Sequence, residues 1–146
     1  MEKVYTIGFT KKTAEQFFET LKTAGVRRVL DVRLNNTSHL AGFTKRKDLA
    51  YFLRVICDAE YVHEPRLAPT KELIDAYKKR KGAWDDYERG FIEIMTERRV
   101  EDQLDRGLFR IPTALLCSEP KADHCHRRLV LEYLRSKWGD IEIIHL

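Results

Sequence analysis

The chain has 146 residues, 43% of them hydrophobic and 34% charged, which predicts a single globular domain, residues 1–146, with its own core. No apolar run approaches the roughly 20 residues that span a bilayer. Residues 1–8 lack a secretory apolar segment, so we expect a cytoplasmic protein with no membrane partner. The net charge of +4, from 27 basic and 23 acidic residues, permits an anionic partner without requiring nucleic acid.

Apolar runs and helical spacing alternate along the first half of the chain. Thr13 is a suitable helix cap and Gly25 a suitable stop for the segment between them. The predicted elements are, in order, a strand at 4–7, a helix at 13–24, a strand at 26–32, a helix at 45–59 and a short strand at 61–62.

The same alternation continues in the second half. The predicted elements are a helix from Thr70 to about Tyr77, a charged turn at 78–82, a long helical stretch at 84–105, a strand at 113–117, a helix at 124–138 and a strand at 142–145. This pattern predicts a three-layer α/β/α sandwich around a mainly parallel, Rossmann-like sheet of about five strands. We expect the strand order 3-2-1-4-5.

Ligand sites of open α/β sheets lie at the carboxyl ends of the strands. In the expected order, strands 1, 2 and 4 deliver a common set of polar residues to that edge. The candidate ligand-binding residues are Gly8, Thr10, Asp31, Arg33 and Arg127. The candidate catalytic residues are Glu119, Cys125 and His126.

Four parts of the sequence carry a family resemblance: Tyr5–Gly8, Leu30–Arg33, Ala114–Glu119 with Cys125–Arg127, and Ile143–Leu146. In this order, and over nearly the whole chain, they resemble the DUF488 family, whose function is unknown. The Cys-x-Glu…Cys-His-Arg segment is the most specific part. The resemblance implies a fold and a site more than an activity. The family's first motif usually continues Gly-His-Ser, whereas this chain has Phe9 in the histidine position.

Cys125 stands at a predicted helix start, where the helix dipole and nearby cations lower the pKa of a thiol. One interpretation makes Cys125 a nucleophile with His126 or His124 as its base. Arg127 would then hold a phosphate or carboxylate. The alternative makes Cys125 a small capping or packing residue and pairs Arg127 with Asp31 or Glu119 across the strand ends.

The chain has three cysteines, at positions 57, 117 and 125. An odd number in a chain of this length predicts free thiols rather than a disulfide framework. A metal site would use Cys117, Cys125 and a neighbouring histidine, with Glu119 as a fourth donor, because zinc prefers these ligands. The spacing fits no familiar two-by-two knuckle, and Cys117 is expected to point into the core. We therefore predict no metal and no cofactor.

Asp31 and Arg33 lie on the same side of the second strand, at the end of an apolar run. In one interpretation Arg33 binds an anion and Asp31 orients it. In the other, the two form a buried ion pair that closes the top of the sheet. Glu119 also has two interpretations: it is either a general base in a cleft or the partner of Arg33. The polar loop at 35–44 is expected to reach the same edge as a lid.

The converging charges predict a polar, anion-accepting pocket at this edge of the sheet. If it is an enzyme, a small phosphorylated or nucleotide-like ligand is the most economical substrate. Basic clusters at 45–47, 78–81 and 98–99, with Trp84 nearby, would suit single-stranded nucleic acid instead. Interspersed acidic residues favour ordinary solvated helix faces. A structural or regulatory module without catalysis is the third alternative, and the oligomeric state is open.

Overall fold

The computed structural model describes residues 2–35, 42–119, 122 and 124–146. The strands are β1 (Glu2–Gly8), β2 (Arg28–Asp31), β3 (Glu60–His63), β4 (Thr113–Cys117) and β5 (Ile141–His145). The α-helices of the described residues are α1 (Ala14–Thr23), α2 (Arg46–Phe52), α3 (Lys71–Lys78), α4 (Trp84–Arg98), α5 (Val100–Gln103) and α6 (His126–Trp138). None of these helices is long and apolar enough to cross a membrane.

Helix α1 forms where the sequence supplies both a start and a stop signal. Thr13 Oγ1 accepts a hydrogen bond from Gln16 N at 3.1 Å, and Thr13 N donates to Gln16 Oε1 at 2.9 Å. This reciprocal cap satisfies two groups that a helix start leaves unpaired. Phe17 and Leu21 are buried on one face. Gly25 ends the segment with a φ of 74°, which favours glycine.

The five strands form one all-parallel sheet in the order β3-β2-β4-β1-β5. The expected order 3-2-1-4-5 is therefore wrong, because β4 lies between β2 and β1. All five residues of β4 are buried, whereas β1 carries the exposed Lys3. The strand that is buried on both faces takes the central position.

Helices cover both faces of the sheet, giving the predicted three-layer α/β/α arrangement. Each face has its own buried cluster. On the first face, helix α1, helix α2 and the π-helical turn Leu53–Cys57 pack against alternate residues of β2 and β4. The helical residues of this cluster include Phe17, Leu21, Leu49 and Leu53, and the strand residues include Val29, Ala114 and Leu116. On the second face, α4 and α6 pack against the strand residues that lie between those of the first set. The helical residues of this cluster include Phe91, Met95, Leu131 and Leu134, and the strand residues include Leu30 and Leu115.

The long helix predicted at 84–105 is divided in two. Arg99 adopts a left-handed conformation, with φ and ψ both 52°, and separates α4 from α5. The apolar spacing continues across the break because Val100 and Leu104 remain buried. Arg99 also pairs with Asp102 at 2.8 Å. The apolar spacing therefore predicts a continuous helix here, but it does not reveal the reversal of the backbone at Arg99.

The register of the parallel strands places the carboxyl ends of β1, β2 and β4 side by side at one edge of the sheet. Gly8 of β1 lies opposite Cys117 of β4, and Asp31 of β2 lies opposite Leu116. Helix α6 begins at His126, directly after its N-cap residue Cys125. The carboxyl edge of the three central strands and the start of α6 therefore meet.

Glu64, just after β3, gives the first testable prediction. Its carboxylate is 6% exposed and accepts from Arg66 Nε at 2.7 Å and Nη2 at 2.9 Å. The hydrogen bond from Arg66 lowers the pKa of Glu64 below its ordinary 4.5, although burial acts in the opposite direction. We expect Glu64→Gln to lower the free energy of unfolding by about 1 kcal/mol at pH 7.

This loss should depend on pH in one direction. Because the folded state has the lower pKa, the stabilisation is present above the unfolded pKa of Glu64 and disappears as the pH falls through the folded value. Urea unfolding of the wild type and of Glu64→Gln at pH 7 and pH 3 measures the difference. Equal differences at the two pH values would contradict the assignment.

Candidate functional site

The carboxyl edge of the sheet opens onto a cavity of about 230 Å³. Its described lining comes from the residues after β2, from the segment between β4 and α6, and from one side of α3 and α4. Parallel α/β sheets bind their ligands at this edge. The volume lies below the roughly 300 to 1,000 Å³ typical of sites for drug-sized molecules. The cavity would therefore enclose a small ligand, or one part of a larger one, such as its ring.

Aromatic rings form the wall that α3 and α4 contribute. Tyr77, Trp84 and Tyr87 lie with their ring centroids 5.0 to 5.5 Å apart, and Trp84 stacks on Tyr87 with 22° between the ring planes. The exposed imidazole of His124 also stacks on Trp84, at 4.8 Å and 21°. Burial raises the pKa of Tyr87, so its phenol stays protonated at neutral pH. The imidazole of His124, which is a planar nitrogen heterocycle, thus already stacks on this wall.

Asp31 is the centre of a buried hydrogen-bond network. Arg33 donates from Nε to Oδ1 at 2.9 Å and from Nη2 to Oδ2 at 2.8 Å. The Tyr61 hydroxyl donates to Oδ2 at 2.6 Å. Asp31 is fully buried and Arg33 is 5% exposed. Of the two interpretations of Asp31 and Arg33, the structure shows the buried ion pair, and Glu119 pairs with Lys78 rather than with Arg33.

The guanidinium of Arg33 is fixed on one side and unpaired on the other. Nη2 also donates to the main-chain oxygen of Thr44 at 2.7 Å, and the group lies 5.3 Å from the centre of the Phe9 ring. Nη1 is buried and has no hydrogen-bond partner among the described residues. A buried donor left unpaired costs about 1 to 3 kcal/mol. Arg33 also lines the cavity, so this unpaired donor belongs to a residue that an anion in the cavity would contact.

Cys117 ends β4 and Cys125 precedes α6, and the structure joins their sulfurs in a disulfide. The prediction of free thiols is therefore wrong for this pair, while Cys57 is free and buried. The cysteine count could not reveal this, because only the fold brings a strand end to the start of the next helix. In the disulfide form Cys125 carries no thiolate, so a nucleophilic role requires the reduced form.

His126 lies beside this pair at the start of α6. Its Nε2 donates to the main-chain oxygen of Val32 at 2.7 Å. Burial lowers the pKa of His126 to about 4, against the opposing effect of this hydrogen bond. The ring is therefore neutral at pH 7, with its lone pair on Nδ1. A ring nitrogen of His126 and the sulfurs of Cys117 and Cys125 lie within 4.8 Å of one another, close enough to hold a metal ion.

Arg127 is fully buried and joins three elements of the fold. Its Nε donates to Thr6 Oγ1 at 3.2 Å, and Nη1 donates to Cys117 Sγ at 3.4 Å and to the main-chain oxygen of Glu119. The alternative that paired Arg127 with the carboxylate of Asp31 or Glu119 is therefore wrong, because the partners are a hydroxyl, a sulfur and a main-chain oxygen. Burial lowers the pKa of Arg127 to about 10, so the group remains charged at neutral pH.

The fold separates the predicted site residues into two groups. Those in the described lining of the cavity are Arg33, Glu119, Cys125 and His126. Those outside this lining are Gly8, Thr10, Asp31 and Arg127. At the rim, Glu119 pairs with Lys78 at 2.8 Å, and the main-chain N–H of Thr10 donates to Ser118 at 3.0 Å. Most of the predicted lid, 36–41, lies outside the described residues.

The sequence analysis placed Trp84 near basic clusters that would suit nucleic acid or form solvated helix faces, and it overlooked the cavity wall that Trp84 forms with Tyr77. Both aromatics flank the turn between α3 and α4, so their clustering was a usable signal. The role of Tyr61 as a partner of Asp31 had no such signal. It depends on β3 lying beside β2, with Leu30 opposite Val62.

Comparison with known proteins identifies a family but no individual relative. Searches of curated proteins and of solved structures find no match to the chain. The model of the family described as "Domain of unknown function DUF488" matches residues 13–134, from the cap of α1 into α6. Because this match covers most of the chain, the protein belongs to the DUF488 family.

Proposed function

We propose that the cavity binds a small anionic molecule with a planar ring, such as a nucleotide-like ligand, and that this binding underlies the protein's activity. The single observation that carries the proposal is the buried, unpaired Nη1 of Arg33, a residue that lines the aromatic-walled cavity. Arginine favours phosphate and carboxylate because its rigid fork of donors matches their oxygens. The aromatic wall supplies the matching surface for a ring.

The electrostatic setting supports an anion rather than a neutral polar group. Asp31 neutralises one side of Arg33, through Nε and Nη2, and so fixes the direction of Nη1. Lys78 brings a second positive charge to the rim, where Glu119 holds it at 2.8 Å. An incoming phosphate would compete with the Glu119 carboxylate for this lysine. The ligand would then be held at two points by cations and along its ring by stacking.

Tryptophan fluorescence tests ring binding directly. The chain has two tryptophans, and Trp138 packs against Phe109 outside the described cavity lining. In the Trp138→Phe variant, the remaining signal comes from Trp84 in the cavity wall. We expect saturable quenching by adenosine 5′-monophosphate, with weaker binding of adenosine. An unchanged spectrum throughout a panel of purine and pyrimidine monophosphates would contradict the proposal.

Arg33→Lys, introduced into the same single-tryptophan protein, tests anion recognition. Lysine keeps a positive charge beside Asp31 but removes Nη1. The affinity ratio of monophosphate to nucleoside should therefore fall by about tenfold. Arg66→Lys is the matched control, because Arg66 pairs with Glu64 and does not belong to the described cavity lining. An equal effect of both variants would argue against a specific role of Arg33.

A second candidate function is binding of single-stranded nucleic acid. One observation favours it: the basic run 78–81 directly follows Tyr77, whose ring forms part of the aromatic wall. Phosphates on this run would place an unstacked base at the cavity. A labelled oligonucleotide should then bind at low salt and lose affinity as the salt concentration rises. Failure to bind at low salt would eliminate this function but would not affect mononucleotide binding.

A further inference from the structure

Three ligand-type side chains meet at the junction of β4 and α6. The sulfurs of Cys117 and Cys125 and a ring nitrogen of His126 lie within 4.8 Å of one another. Ligand atoms around a tetrahedral zinc ion are roughly 3.5 to 3.8 Å apart, given bonds of about 2.0 to 2.3 Å. The Cα atoms of the two cysteines are 7.5 Å apart, wider than the roughly 4.4 to 6.8 Å usual for disulfides. The backbone therefore leaves space for an ion between the sulfurs.

The surrounding hydrogen bonds are those that support metal ligands. His126 Nε2 donates to the Val32 main-chain oxygen at 2.7 Å, which fixes the ring and leaves Nδ1 as the ligating nitrogen. Metal-binding histidines commonly make such a bond. Arg127 Nη1 donates to Cys117 Sγ at 3.4 Å, which favours a thiolate there. Cys125 lies at the N-terminus of α6, where the helix dipole also favours a thiolate.

We propose that Cys117, Cys125 and His126, once the disulfide is reduced, form a three-residue binding site for zinc. Two thiolates and a neutral imidazole balance the charge of the divalent ion, so the complex adds no net charge to a buried place. The sequence spacing argued against a metal, but the fold brings the three groups together from a strand end and a helix start.

The site would leave one coordination position open. All three residues also line the aromatic cavity, so the fourth position would face the space where a ligand enters. Three protein ligands with an open position are typical of catalytic zinc sites, whereas structural sites have four. Zinc there would lower the pKa of a bound water molecule. The Glu119 carboxylate lines the same cavity.

Metal binding requires a defined redox step. A phosphine reductant supplies two electrons that cleave the Cys117–Cys125 bond and becomes a phosphine oxide by taking the oxygen of one water molecule. The two protons of that water go to the sulfurs, giving two thiols. The thiols release these protons when their thiolates bind the metal ion. The oxidised protein should therefore bind no metal at this site.

Cobalt(II) titration under anaerobic conditions tests the proposal, with cobalt as a coloured substitute for zinc. The protein is reduced with a phosphine, stripped with a chelator, desalted and titrated. We expect one cobalt per chain, a sulfur-to-cobalt charge-transfer band in the near ultraviolet, and displacement by zinc. The same titration of the oxidised protein should give no such band.

Variants separate this site from adventitious binding. Cys117→Ser, Cys125→Ser and His126→Asn should each weaken cobalt binding by at least about 100-fold. Cys57→Ser is the matched control and should bind as the wild type does, because Cys57 packs on the opposite face of the sheet. Circular dichroism checks the fold of each variant. Absence of the band in the reduced wild type, or its survival in well-folded Cys117→Ser and Cys125→Ser, would overturn the proposal.

Discussion

Replacing Asp31 with asparagine is expected to lower the free energy of unfolding by about 3 to 5 kcal/mol. The two side chains have nearly the same shape, so the change removes charge rather than volume. It leaves the guanidinium of Arg33, which is 5% exposed, without its counterion. The Tyr61 hydroxyl also loses a charged acceptor at 2.6 Å. Urea unfolding at neutral pH measures the loss.

The exposed pair Arg27–Asp58 provides the control for this prediction. Its atoms lie 3.2 Å apart, but the two side chains are 56% and 87% exposed. Solvent screens such a pair, so Asp58→Asn should change the free energy of unfolding by less than about 0.5 kcal/mol. Similar decreases in the free energy of unfolding for Asp31→Asn and Asp58→Asn would contradict a stabilising role of the buried Asp31–Arg33 pair.

Gly8→Ala is expected to destabilise the protein by about 3 kcal/mol, at the upper end of the usual cost of overpacking. A Cβ at Gly8 would lie 1.6 Å from the main-chain oxygen of Glu119 and 2.6 Å from Arg127 Nη1. The first of these contacts is with the backbone, so rotating a side chain cannot relieve it. The segment between β4 and α6 would have to move, and Arg127 would lose its hydrogen bond to Glu119.

Gly42→Ala is the control for the glycine prediction. No atom of the described residues lies within 4 Å of a Cβ built at Gly42, and the residue is exposed. Thermal unfolding of the two variants should therefore show a large decrease in Tm for Gly8→Ala and almost none for Gly42→Ala. A well-folded Gly8→Ala protein with the wild-type Tm would contradict the close approach of Gly8 and Glu119.

Local signals in the sequence were sufficient for most of the fold. The cap at Thr13 and the apolar run of β4 predicted α1 and β4 closely, because capping and burial depend on adjacent residues. The order of the strands depends on which faces pack together, and alternation alone carries no such information. The break at Arg99 was missed for a related reason, since the residues beyond it continue to face the core.

The candidate site shows the same division between local and long-range information. Asp31 and Arg33 are two residues apart in the sequence, at the end of β2 and just beyond it, so their pairing could be offered as one of two interpretations. The Cys117–Cys125 bond and the contact of His126 with Val32 join segments that only the folded sheet brings together. The wall containing Trp84 also depends on how α3 packs on α4 and how α4 packs on α6. The location of the site was therefore more predictable than its composition.

The most direct test of the central claim is a crystal structure of the wild-type protein with adenosine 5′-monophosphate. The proposed function predicts the phosphate within hydrogen-bonding distance of Arg33 Nη1, and the adenine ring against the wall formed by Tyr77, Trp84 and Tyr87. Nucleotide bound elsewhere, with Nη1 still unpaired and the cavity empty of ligand, would contradict it.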